Sequence, residues 1–105
     1  MGRIGAITVD GASGLPYSFN VYAFNASLKA VGGVYVVTRL ANDEHTILYI
    51  GQTEDLSVIF EDHDKIDCFR KHKANCICVH RDDSKASRLD KEVDLIEAWN
   101  PPCNG

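Results

Sequence analysis

Long apolar runs are missing from this sequence. No stretch approaches the roughly 18 consecutive apolar residues of a membrane-spanning helix, and the opening Met1-Gly2-Arg3-Ile4-Gly5-Ala6 lacks the apolar segment of a signal peptide. Ala6 stands where a myristoylation signal on Gly2 wants Ser or Thr. A cytoplasmic protein that does not enter membranes is the expectation. Cations are in the minority, with eleven Lys and Arg against fifteen Asp and Glu and a net charge of −4. Such a balance excludes a chain that coats nucleic acid through charge alone. Four cysteines, Cys68, Cys76, Cys78 and Cys103, are too few for a disulfide scaffold and are expected to be reduced. Repeats and low-complexity tracts are absent too.

What is present suits one small domain: 105 residues, 45% hydrophobic and 25% charged, are enough for a single ordinary core. Ile4 to Val9 and Tyr17 to Phe24 alternate in strand fashion around the turn-rich Asp10-Gly11-Ala12-Ser13-Gly14, which predicts a hairpin. Val34 to Thr38 and Thr46 to Ile50 are rich in β-branched and aromatic residues and flank a polar turn at Asn42-Asp43, which predicts a second, central hairpin. From Asp55 the period changes. Leu56, Ile59, Phe60 and His63 share one face of a predicted helix capped by Asp55, followed by a short helical piece over Ile66 to His72 and a strand over Cys76 to His80. Ser84 or Asp83 caps a last helix whose stripe Ala86, Leu89, Val93, Ile96 and Trp99 is expected to face the core, and Pro101-Pro102 stops it. The pattern predicts an α+β fold, a small central antiparallel sheet flanked by helices, with an extra N-terminal hairpin. Residues 1–31 read as an extension packed on the domain formed by 32–105.

Glu92 is the physical anomaly of the last helix. At 100° per residue it falls beside Ile96 on the expected core side, whereas Asp90 and Asp94 point away. An unpaired carboxylate out of water costs several kcal/mol, so Glu92 requires a cation, a metal or several donors, or a structural pair with Arg88 one turn earlier.

Two tyrosines stand near glycines, in Gly33-Val34-Tyr35 and Tyr49-Ile50-Gly51. These runs resemble the two halves of the GIY-YIG nuclease motif, with Val34 in place of the central Ile of the first half. The resemblance continues through Gln52-Thr53-Glu54-Asp55-Leu56 and His63 to Arg88, Glu92, Leu95, Ile96, Pro101 and Asn104, and so covers Gly32 to Asn104. It implies a GIY-YIG fold and metal-dependent hydrolysis of DNA phosphodiesters. Glu92 is then the one protein ligand of a divalent cation, Mg²⁺ or Mn²⁺, a hard ion that keeps several waters. Tyr35 is the implied general base or proton relay, Tyr49 lines the same pocket, and His63 assists at phosphate. Gly51, Arg88 and Asn104 belong to the implied substrate-binding and supporting set, and Arg70 and Lys71, with His72 or Lys73, are candidates from the neighbouring segment to supply a cation at phosphate. The family carries an Arg, which stabilises charge on the phosphate, at the position of Ile59; its loss predicts an impaired rate. The alternative is a catalytically inactive nucleic-acid-binding or regulatory module on the same scaffold, with a protein partner.

Charge supports a nucleic-acid face in part. Residues 65–88 hold seven Lys and Arg against three acids, while Glu54, Asp55, Glu61, Asp62 and Asp64 form an acidic stretch before them. Binding to DNA by this chain alone is expected to be weak and salt-sensitive. Cys76 and Cys78, two apart on one strand with Cys68, His72 and Cys103 as conceivable companions, depart from the C-x₂-C spacing of zinc knuckles, and buried thiols are the favoured reading.

Overall fold

The protein is described here by a computed structural model over residues 2–61 and 63–105. Asp62 of the acidic stretch lies outside the described residues. Five strands, β1 (Gly5–Asp10), β2 (Pro16–Ala23), β3 (Gly33–Ala41), β4 (Glu44–Thr53) and β5 (Cys76–Arg81), form one sheet in the order β1-β2-β5-β3-β4. All four pairings are antiparallel. Two helices, α1 (Ile66–Lys71) and α2 (Lys85–Trp99), complete an α+β fold. The expected N-terminal hairpin is present, and β2 joins it to the sheet along β5.

Local chemistry accounts for the turns. Asn42 and Asp43 both have positive φ, 53° and 62°, the geometry of a two-residue hairpin turn whose twist matches that of its strands. Asn and Asp bear this left-handed conformation better than most residues. At the end of α2, Asn100 is left-handed at φ 42° and returns its N–H to the Ile96 carbonyl over 2.7 Å, after which Pro101 prevents continuation. Ser84 caps the other end by accepting from the Ser87 N–H.

Period-two alternation sorts the strands onto two covered faces. Val9, Phe19, Val21, Val34, Val36, Ile50, Cys76 and Cys78 pack on one face together with Leu95 of α2. Tyr35, Val37, Leu48 and Ile77 pack on the other with Leu56, Ile59, Phe69 of α1 and Cys103 of the tail. A bulge between Val37 and Thr38 in the β3–β4 register leaves Leu48 without a partner. Leu48 and Tyr49 therefore both pack on the second face, although they are consecutive in the chain.

Three expectations are corrected. The helix predicted from Asp55 through His63 is a short 3₁₀ turn, Leu56–Val58, with Asp55 capping it by accepting from the Ser57 N–H over 2.9 Å. Leu56 and Ile59 are nonetheless buried, because turns carry them onto the second face. In α2 the predicted apolar stripe turns largely away from the core, and of its members Ile96 packs against the first core. Leu89, Val93 and Trp99 are 40%, 53% and 50% exposed, while Arg88 and Leu95 are buried. The buried face is turned by roughly 90°, about one residue step, from the apolar stripe. Polar partners set this rotation: Arg88 donates from Nε to Gln52 Oε1 over 3.0 Å and from Nη1 to the Asp82 carbonyl over 3.1 Å. Asp94 accepts from the Ser13 N–H and hydroxyl and from the Tyr17 hydroxyl, at 2.8, 2.7 and 2.7 Å, and so clamps the β1–β2 turn to the helix.

The third correction concerns the thiols. Cys68 and Cys103 form a disulfide that spans 35 residues of sequence, with their Cα atoms 5.9 Å apart. Such a pairing arises because the tail after α2 folds back along β4 to reach α1. Cys76 and Cys78 stay free and buried in the first core, and burial pushes the Cys78 thiol up to about 12. Among the described residues, no helix is long and apolar enough to cross a membrane.

Candidate functional site

The site begins with the pairing of Tyr35 and Gly51 across β3 and β4. Tyr35 and Tyr49 project from the same face of that hairpin, with ring centroids 6.0 Å apart, and the missing side chain at Gly51 leaves the space in which they meet. The turn after Leu56–Val58 brings His63 onto this pair: its ring lies 5.2 Å from that of Tyr49, and Phe69 of α1 backs both at 5.1 and 5.5 Å.

Hydrogen bonding fixes the state of the imidazole. The Lys65 backbone N–H donates to His63 Nδ1 over 3.0 Å, so the proton of the neutral ring resides on Nε2. Nε2 lies 3.0 Å from the Tyr35 hydroxyl and donates to it, which leaves Tyr35's own proton for the side of Tyr49. Burial lowers the His63 pKa below its ordinary value, only partly opposed by the exposed carboxylate of Asp64. Burial also pushes Tyr35 far above the ordinary phenol range, and the neighbouring Tyr49 adds to this. Tyr49 is raised too, first by burial and then by Asp64. At neutral pH the cluster is a neutral imidazole and two neutral phenols.

Glu92 approaches from α2 at the open edge of β4. In an antiparallel pair alternate residues turn their N–H and C=O toward the partner strand, so the Ile50 and Gln52 groups face outward. Asn104 occupies the first of these places: its Nδ2 donates to the Ile50 carbonyl over 2.8 Å, and its Oδ1 accepts from the Ile50 N–H over 2.9 Å. At the second, the Gln52 backbone amide lies close enough to the Glu92 carboxylate to favour its charged form. Burial acts more strongly in the opposite direction and raises the Glu92 pKa above the ordinary carboxylate value. Among the described residues Glu92 makes no ion pair, and Arg88 is engaged with Gln52 and Asp82 instead. Glu92 is near enough to Tyr35 and Tyr49 for its charge to raise both phenols.

Tyr35, Tyr49, His63 and Gly51 thus come together, with Glu92 and Asn104 beside them on the β4 edge and Arg88 one contact further through Gln52. Arg70 and Lys71 are exposed on α1, and Arg70 pairs with Asp67 at 3.6 Å. Ile59 is a core residue beside a groove of about 500 Å³ that Phe24, Leu28 and Phe60 also line. Two contributors were not singled out from the sequence. Lys65 supplies both the amide that sets the His63 tautomer and a positive charge that further lowers its pKa. Gln52 links Arg88 to the edge amide that meets Glu92. A Lys two residues beyond a His is a signal only once the turn between them is known.

No family model matches the chain, and no curated protein and no solved structure matches it.

Proposed function

We propose that this chain is a metal-dependent phosphodiester hydrolase of the GIY-YIG type acting on DNA, with Glu92 as the protein ligand of the cation. The observation that carries the reading is the half-buried Glu92 carboxylate, raised by burial and lacking an ion-pair partner among the described residues, beside a preorganised pair of tyrosines. A hard divalent cation relieves such a carboxylate, and Mg²⁺ or Mn²⁺ suits a single protein ligand with waters in the remaining positions. When bound, the cation acidifies water and neutralises phosphate charge.

The chain's own residues do the positioning. His63 holds the Tyr35 hydroxyl in place by donating to it, so that Tyr35 and Tyr49 present phenol groups that orient a water and a phosphate oxygen. As neutral phenols they serve as donors and as members of a proton relay. Asn104 and the bare Gly51 keep the β4 edge and the tyrosine rings in register. Lys65 supplies positive charge near His63. Arg70 and Lys71 belong to the surrounding basic surface and contact substrate outside the pocket.

The second reading is a binding or regulatory module that keeps the scaffold without turnover, and the burial of Ile59 among apolar side chains favours it. Incubation of branched and single-stranded DNA oligonucleotides with Mg²⁺ or Mn²⁺ separates the two. The hydrolase reading predicts cleavage that a chelator abolishes and that Glu92→Ala lacks. Metal-dependent binding without cleavage supports the module. Cleavage that survives in folded Glu92→Ala contradicts the assigned role of Glu92.

A further inference from the structure

Cys68, His72 and Cys103 meet on the side of the molecule where the C-terminal tail crosses α1. Their ligand atoms all lie within 4.8 Å of one another. Cys68 and His72 are four residues apart at the end of α1, and the His72 backbone N–H bonds the Cys68 carbonyl at 3.1 Å, so the helix places both side chains on one face. Cys103 comes from the tail and is buried, whereas Cys68 and His72 are half-buried and leave one side of the cluster open. Among the described residues the His72 ring makes no hydrogen bond, and the disulfide spans only two of the three clustered groups.

Two sulfurs and an imidazole nitrogen that converge with one side open are the donor set of a three-ligand zinc site whose fourth position is left to water or an added ligand. Oxygen-seeking Mg²⁺ does not favour such a set, so this place is chemically distinct from the Glu92 edge. We propose that Cys68, His72 and Cys103 are a redox-gated metal centre: a disulfide in the oxidised chain, and a binding site for one Zn²⁺ once that disulfide is reduced. A dithiol reductant gives two electrons to the S–S bond and is itself oxidised to a disulfide, and its two protons pass to Cys68 Sγ and Cys103 Sγ. Zinc binding then releases those protons and forms two Zn–S bonds and one Zn–N bond.

Both forms join α1 to the tail, and this gives the centre a consequence for the β4 edge. The Cys103 N–H donates to the Leu48 carbonyl over 2.9 Å, and Asn104 grips Ile50, so the bridged tail holds the strand on both sides of Tyr49. A reduced, metal-free chain keeps these hydrogen bonds without the cross-link. The inference stands whether or not the hydrolase reading does, because it concerns other residues and another metal.

The full chain is reduced with a phosphine, which takes up oxygen from water and supplies no thiol ligand, then titrated with Zn²⁺ and, in parallel, with Co²⁺. One zinc per chain, cobalt absorption typical of thiolate ligation, loss of about 100-fold or more in affinity in Cys68→Ser, and about 10-fold or more in His72→Ala are expected. The oxidised chain is expected to bind no zinc at this place. Zinc that binds the reduced chain no more tightly than Cys68→Ser, or equally well in His72→Ala, overturns the proposal. Should a variant fail to fold, alkylation of the unaltered reduced chain decides: zinc must protect Cys68 and Cys103, and alkylation of both at an unchanged rate overturns the proposal.

Discussion

Gly51 lies directly beneath Tyr35: a Cβ placed on this glycine would come within 2.7 Å of Tyr35 Cζ and 2.9 Å of Tyr49 Cε2. The tyrosine pair and the bare backbone opposite it are therefore one device. Gly51→Ala is expected to destabilise the chain by about 1–3 kcal/mol, the usual cost of overpacking a filled core, and to push the rings apart. Urea unfolding together with the near-ultraviolet circular dichroism of the tyrosines checks both effects.

Glu92→Gln tests the carboxylate against its surroundings. Because burial raises the Glu92 pKa, its charged form weakens the fold, and the contribution of this group to stability fades as pH rises through the raised value. The amide variant is expected to melt higher than the unaltered chain at neutral pH and to lose metal-dependent cleavage by about 100-fold or more. Thermal melts at pH 4 and pH 7 check the first part: the gain must be larger at pH 7.

His63 gives the opposite pH signature. Its folded pKa lies below its ordinary 6.5, so the unfolded chain takes up its proton first as the medium is acidified. The stability that comes from the neutral ring is fully present above pH 6.5 and is lost as pH falls through the lowered value. His63→Gln, which retains an amide donor but does not titrate, is expected to flatten the stability profile below neutrality. An unchanged profile contradicts the buried neutral imidazole.

Asn104→Ala removes both side-chain hydrogen bonds to Ile50 on the edge strand. A loss of about 1–3 kcal/mol is expected, because a partly buried N–H and C=O are left without partners. Hydrogen exchange at the Ile50 amide is the specific readout, and it must accelerate more than exchange at amides in the centre of the sheet.

Strands and chain stops were legible in the sequence, because alternation of apolar residues and turn chemistry are local properties. The Asn42-Asp43 turn, the Ser84 cap and the Pro101 stop all correspond to features of the structure. The orientation of α2 was not legible. Apolar periodicity pointed to Leu89 and Val93, but the hydrogen bonds of Arg88 to Gln52 and Asp82 turned another face inward. Partners on distant elements leave no trace in a helix's own period. The segment after Asp55 misled for a related reason: its apolar residues are buried at helix-like spacing by turns. Of the site, Tyr35, Tyr49, Gly51 and His63 stand far apart in sequence and come together through the β3–β4 pairing and the turn that carries His63. The tautomer set by Lys65 and the disulfide between Cys68 and Cys103 both needed the tertiary fold.

Ile59→Arg bears on the missing cation. Ile59 is 9% exposed and packs in the second core, so a guanidinium there is expected to cost about 3 kcal/mol or more as an uncompensated buried charge. Denaturant unfolding of this variant checks the burial directly. A neutral effect on stability would mean that the side chain reaches the adjoining groove and its solvent.

The most direct test of the central claim is nicking of supercoiled plasmid in Mg²⁺ by the unaltered chain and by Glu92→Gln, at equal concentration and with melts recorded on the same samples. The account predicts nicking by the unaltered chain, and loss of that nicking in a variant that melts higher. Equal nicking by two folded proteins, or none by either, contradicts it.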